Sequence, residues 1–225
     1  MSASSNNLIA PRFLFRFALP LKRLDPLWPV DAKKLTDGHK LPPLARLEAG
    51  SEATERSFSE VWGGWGPMGV TLVLRATGKS QPPWCRDSRI DESDGLHVWI
   101  DTRATHNIHR ASKFCHRFGF LPAGGGRDAT GPVADQLLIN RARENARPVK
   151  PRELQVASKV TKDGYYLAAH IPESALGGFD PANYPRLGFT YAVIDRELGI
   201  NTFATGLGFP FDEDPSCWAT LELVD

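Results

Sequence analysis

The sequence predicts an all-β protein, an antiparallel β-sandwich of jelly-roll type with long loops and one short helix. Three observations carry that prediction. Apolar residues alternate with polar ones at period 2 in several short segments. The 20 glycines and 18 prolines are spread along the 225 residues, as the turns between many short strands require. Amphipathic helical periodicity is nearly absent.

The strands follow in order. Phe13, Phe15 and Phe17 alternate with Leu14, Arg16 and Ala18 and give the first. Val70–Thr77 is β-branched and bounded by Gly69 and Gly78. Leu96, Val98 and Ile100 alternate with His97, Trp99 and Asp101, so the two sets face opposite sides of a sheet. Phe114–Leu121 is a further strand. Leu154–Val160 and Tyr165–Ile171 flank Lys162-Asp163-Gly164, a hairpin built on Asp-Gly. Arg186–Ile194 and Trp218–Val224 complete the set. Residues 21–57 read as an irregular surface segment, and 102–153 as an insertion. Within the latter, Asp135–Asn145 is the short helix and Ala123–Pro132, with Gly124-Gly125-Gly126, a loop. Trp62 and Trp65 flank Gly63-Gly64 in what reads as a turn between strands. The whole chain, 1–225, is expected to form a single domain.

Composition excludes several classes. Hydrophobic residues make up 41%, enough for a sizeable core, and the formal net charge is +1. So even a balance gives no general pull towards nucleic acid or an anionic membrane. The basic run Arg141, Arg143, Arg147, Lys150 and Arg152 is interrupted by Pro148 and Pro151 and reads as a solvated loop. Three cysteines, Cys85, Cys115 and Cys217, do not make a disulfide framework. The segment Leu8–Leu21 is broken by Arg12, Arg16, Pro11 and Pro20, unlike a signal peptide, and no run approaches a membrane span. A soluble, cytoplasmic protein is the expectation.

Four blocks in order resemble the family 9 carbohydrate-binding modules, related to the DOMON-type domains. They are Trp84–Asp101 (WCRDSRIDESDGLHVWID), Asp163–Pro172 (DGYYLAAHIP), Leu187–Asp195 (LGFTYAVID) and Asp214–Leu223 (DPSCWATLEL). The resemblance spans about 60–225. It implies an antiparallel β-sandwich, a non-catalytic module that binds oligo- or polysaccharide, and calcium as a structural ion in some members. Members are usually secreted parts of glycoside hydrolases, which sits against the cytoplasmic expectation. Nucleic acid and membrane are not expected partners, and the oligomeric state is open.

The family clamps one sugar between two tryptophans. The resemblance places Trp84 as the first of these, in a loop after Pro82-Pro83. A flat indole against the C–H face of a pyranose removes both from water, and neighbouring polar groups pair with the hydroxyls. At the place of the second tryptophan stands Asp212, with Phe211 and Phe209 before it, and Ala168 replaces a family glutamate. The expected ligand-binding set is therefore Trp84 with Phe211, Trp65 or Trp99 as a second wall. Asp195, Arg103 and Asp212 are the polar candidates. Trp218 reads as core.

Two alternatives remain. One is a structural or interaction module that keeps the sandwich and has lost the sugar site. The other is a metal-dependent activity at His97, His106, His109 and His116, with Cys115. Imidazole and thiolate suit zinc, but this spacing matches no closed structural site, and Cys115 and His116 fall on opposite faces of a strand. Asp87, Asp91, Glu92 and Asp94 are oxygen donors of the kind calcium takes, without an EF-hand loop. No catalytic constellation is present: there is no G-x-S-x-G, no H-E-x-x-H and no phosphate-cradling loop.

Overall fold

The computed structural model describes residues 18–41, 57–150, 152–203 and 208–225. The phenylalanine strand expected over 13–18 lies outside them except for Ala18, as does part of the irregular segment. Among the described residues there are eleven strands and only short 3-10 turns. The strands are β1 (Ala18–Lys22), β2 (Ser59–Gly66), β3 (Gly69–Thr77), β4 (Gly95–Asp101), β5 (Cys115–Gly125) and β6 (Gly131–Leu137). They continue with β7 (Gln155–Thr161), β8 (Gly164–Pro172), β9 (Arg186–Asp195), β10 (Gly199–Thr202) and β11 (Ala219–Val224).

They form two sheets. The larger has the order β1-β11-β9-β4-β5-β6, with β10 also on β9; the smaller has the order β2-β3-β8-β7. All neighbours are antiparallel except β1, which runs parallel to β11. β11 pairs with the start of β9 and β10 with its end, so the two share one side of that strand. The sandwich expected from alternation is therefore present.

The core lies between the sheets. Leu96, Val98 and Ile100 of β4 meet Leu72 and Leu74 of β3 and Leu167 of β8 there, all fully buried. Burying each such side chain favours folding by about 1.5–3 kcal/mol. β9 adds Leu187, Phe189, Tyr191 and Val193, strictly alternating. Because side chains alternate, the same strands send Trp99, Ala192 and Ile194 to the outer face of the larger sheet. That face is not left to water. Loops 102–114, 138–145 and 208–218 fold onto it and make a second apolar cluster of Trp99, Ala111, Cys115, Ile139, Phe211 and Trp218.

Two local expectations are corrected. Asp135–Asn145 is not a helix. Its first residues end β6, which pairs with β5 through Arg117↔Leu137 to Leu121↔Val133, and the rest is irregular. Partnering a sheet edge satisfies backbone groups over a longer stretch than a two-turn helix would, and Gly131-Pro132 suits a strand start at an edge. Trp62 and Trp65 do not flank a turn but sit within β2, and the turn falls at Pro67-Met68. Gly63 and Gly64 are there because a Cβ at either would meet Leu41, Leu21 or Leu24 at 2.6–3.0 Å.

Candidate functional site

An open cleft of about 840 Å³ lies on the outer face of the larger sheet. Its floor and walls come from four places in the chain. Trp99 of β4, Arg117 of β5, and Ala192 and Ile194 of β9 supply the sheet surface. The loop 138–142 with Asn145 makes one lip, and Phe209, Phe211 and Asp212 make the other. Asp91 and Ile200 complete the lining.

The floor is rigid. Trp99 is 2% exposed, and Phe211 packs edge-on to it with ring centroids 5.6 Å apart. The Arg117 guanidinium lies over the Trp99 ring at 5.0 Å and is ion-paired with Asp91. Two indole N–H groups fix the second lip. Trp99 Nε1 donates to the Asp212 carbonyl at 3.0 Å, and Trp218 Nε1 to the Phe211 carbonyl at 2.7 Å. The lips are tied to each other by Arg141 and Glu213, 3.1 Å apart. Arg141 itself holds a left-handed backbone (φ 55°), uncommon for a side chain of its kind. The rim is apolar: Leu138, Ile200 and Phe209 are 71%, 42% and 42% exposed.

The expected site residues fall into different places. Trp99, Phe211 and Asp212 come together in this cleft. Trp84 lies beyond its lining, in the loop before β4, and is half-buried. The guanidiniums of Arg86 and Arg196 lie over its ring at 5.1 and 4.8 Å. Trp65 belongs to the core between the sheets, with Nε1 donating to the Val224 carbonyl. Arg103 is held between Phe114 and Tyr184 and donates to the Gly178 carbonyl.

Asp195 is buried in an ion cluster that sequence reasoning missed. Lys79 Nζ donates to Asp195 at 2.7 Å and to Asp94 at 3.1 Å, all three side chains being at most 2% exposed. Burial alone would depress the Lys79 ammonium, but the hydrogen bonds to Asp195 and Asp94 outweigh it and hold its pKa above the ordinary value. Asp94 also accepts from the backbone N–H of Trp84 at 3.0 Å and of Arg196 at 2.8 Å. One buried carboxylate thus joins the Trp84 loop to the β9–β10 turn.

The metal candidates are dispersed. His97 is on the outer face of β4, whereas His116 faces Gly177. His106 pairs with Thr220, and His109 with Asp214 and Ser216. Cys115 joins the outer cluster, opposite in direction to His116, as strand alternation requires. Three of the four oxygen donors considered for calcium are engaged apart: Asp91 with Arg117, Glu92 with Arg89, and Asp94 with Lys79. Among the described residues no group of three or more His, Cys, Asp or Glu side chains is arranged to hold a metal ion; Asp94, Asp195 and Glu197 converge instead on the Lys79 ammonium. Nor is any described helix long and apolar enough to cross a membrane.

The sequence matches no family model and no curated protein. Solved structures do match in fold. A family 9 carbohydrate-binding module from Caldicellulosiruptor kristjanssonii, in complex with cellotriose, superposes with TM-score 0.59 at 13% identity, over 92% of this chain and 93% of that one. A family 9 module from the same organism, in complex with glucose, gives 0.50 at 13% identity over 74% and 76%. A carbohydrate-binding protein of Bacteroides uniformis, so described provisionally, gives 0.51 at 12% identity over 74% and 78%. The fold of this chain is that of the family 9 carbohydrate-binding modules.

Proposed function

We propose that the protein is a non-catalytic carbohydrate-binding module and that the saccharide occupies the cleft over Trp99. The observation that carries the reading is the clustering of exposed apolar side chains at this one groove. Leu138, Ile200 and Phe209 all line it, interleaved with Asn140, Asn145 and Asp212. Exposed apolar groups gathered at a concave surface mark binding sites. Apolar patches beside hydrogen-bonding side chains suit a sugar, whose ring has an apolar face and a polar fringe. The cleft falls within the roughly 300–1,000 Å³ of small-molecule sites. Modules of this fold were solved with cellotriose and with glucose, which supports a saccharide ligand here.

Calorimetric titration with cellotriose, xylotriose and glucose tests the reading. Phe209→Ala removes an exposed ring without touching the core, so it weakens binding ~3–10-fold, the worth of one stacked ring. No heat with any of these sugars, at protein concentrations that would detect millimolar affinity, counts against it.

A further inference from the structure

Beside the cleft, two arginines meet at one indole. The guanidiniums of Arg86 and Arg196 lie 5.1 and 4.8 Å from the Trp84 ring centroid. Among the described residues, ion pairs engage the guanidiniums of Arg23, Arg75, Arg89, Arg117, Arg141 and Arg186, but not these two. Their backbones are nevertheless fixed. Asp94 holds the N–H groups of Trp84 and Arg196, and Ser93 Oγ accepts from the N–H of Arg86 at 2.9 Å. Glu197, next in the chain to Arg196, is turned away. Its carboxylate accepts from the Ser80 hydroxyl and from the N–H groups of Ser80 and Gln81, and the Ser80 hydrogen bonds hold its pKa down to about 2.

Two cations at one ring repel each other, and the negative faces of the indole offset only part of that. The guanidiniums also balance, through space, the excess negative charge of Asp94, Asp195 and Glu197 around Lys79. None of those oxygens takes their N–H forks, however. A planar fork is matched by an anionic oxygen pair, at twice the strength of a neutral hydrogen bond. Arg196 opens the turn that follows β9, two residues past Ile194 of the cleft lining.

We propose that Arg86 and Arg196, braced on Trp84, form a subsite for the anionic group of a charged sugar, a carboxylate- or phosphate-bearing pyranose. This rests on the reading of the adjoining cleft as a saccharide site. The test is calorimetric titration of the full chain with D-glucose, D-glucuronate and D-glucose 6-phosphate, which share a ring and differ at the sixth carbon. At low salt, at least one anionic sugar binds tenfold or more tighter than glucose. That advantage shrinks at about 0.5 M salt, where exposed charges are screened. In Arg86→Gln or Arg196→Gln it falls to within about twofold, with glucose binding and melting temperature unchanged. Which anion wins identifies the charged group. Equal affinity for all three sugars, unaltered in both variants, overturns the subsite and leaves the cleft reading standing. Silence with all three and with cellotriose removes both.

Discussion

His97 is fully enclosed on the outer face of β4, beside the Ile90 backbone and the Arg117 guanidinium. Burial therefore pushes its pKa down to about 4, and the same cause does so for His116. Both values lie below the ordinary 6.5, so the unfolded chain takes up these protons first as the pH falls. The stability is fully present above pH 6.5 and drains away towards pH 4. Between pH 7 and 5 each ring costs roughly 2 kcal/mol of unfolding free energy. Urea unfolding at the two pH values measures the loss, and His97→Leu removes about half of it. An acid dependence unchanged by that substitution contradicts the assignment. The same residues mark a limit of reading sequence. Three imidazoles and a thiol within eleven residues suggest a ligand set. Strand alternation sends them to opposite faces, and the loop between β4 and β5 carries His106 and His109 to other partners.

Between elements, the buried Lys79–Asp94–Asp195 cluster joins the end of β3, the start of β4 and the end of β9. Lys79→Met would leave two carboxylates buried without their cation, a loss of about 3–5 kcal/mol in chemical denaturation. A variant as stable as the parent contradicts that role. The β2–β3 turn depends on Gly69. Its φ is 131°, and a Cβ there would sit 2.2 Å from the Ile171 carbonyl oxygen. Gly69→Ala is expected to cost at least ~2 kcal/mol, read as a lowered melting temperature. At this scale the sequence is at its most legible. Period-2 alternation marks β4 and β9, and Asp163-Gly164 marks the β7–β8 hairpin, because those patterns report directly on burial and turn geometry. It misleads at β6 and β2. There pairing with a distant strand, or close packing against Leu24, decides the conformation, and neither is visible locally.

Across the whole molecule, the sandwich is a frame whose larger sheet carries loops folded over its outer face. The cleft collects residues from 91 to 212, and no spacing in the sequence announces it. Trp99 was legible from alternation, and Phe211 and Asp212 from family resemblance. Arg117, Asn140, Arg141 and Ile200 were not, since such residues come to line one cleft only when the sheet brings them together. The Arg141–Glu213 pair across the lips is largely exposed on the arginine side, 74% against 21%. Arg141→Gln should therefore change stability by no more than ~1 kcal/mol while altering sugar affinity. A large fall in melting temperature would show instead that the pair holds the fold. Saccharide binding on the outer face of the larger sheet is read out by amide chemical-shift mapping of the ¹⁵N-labelled chain titrated with cellotriose. Binding in the cleft over Trp99 gathers the shifts at 138–145, 192–200 and 208–212. Shifts confined to the smaller sheet, or none at saturating sugar, would contradict it.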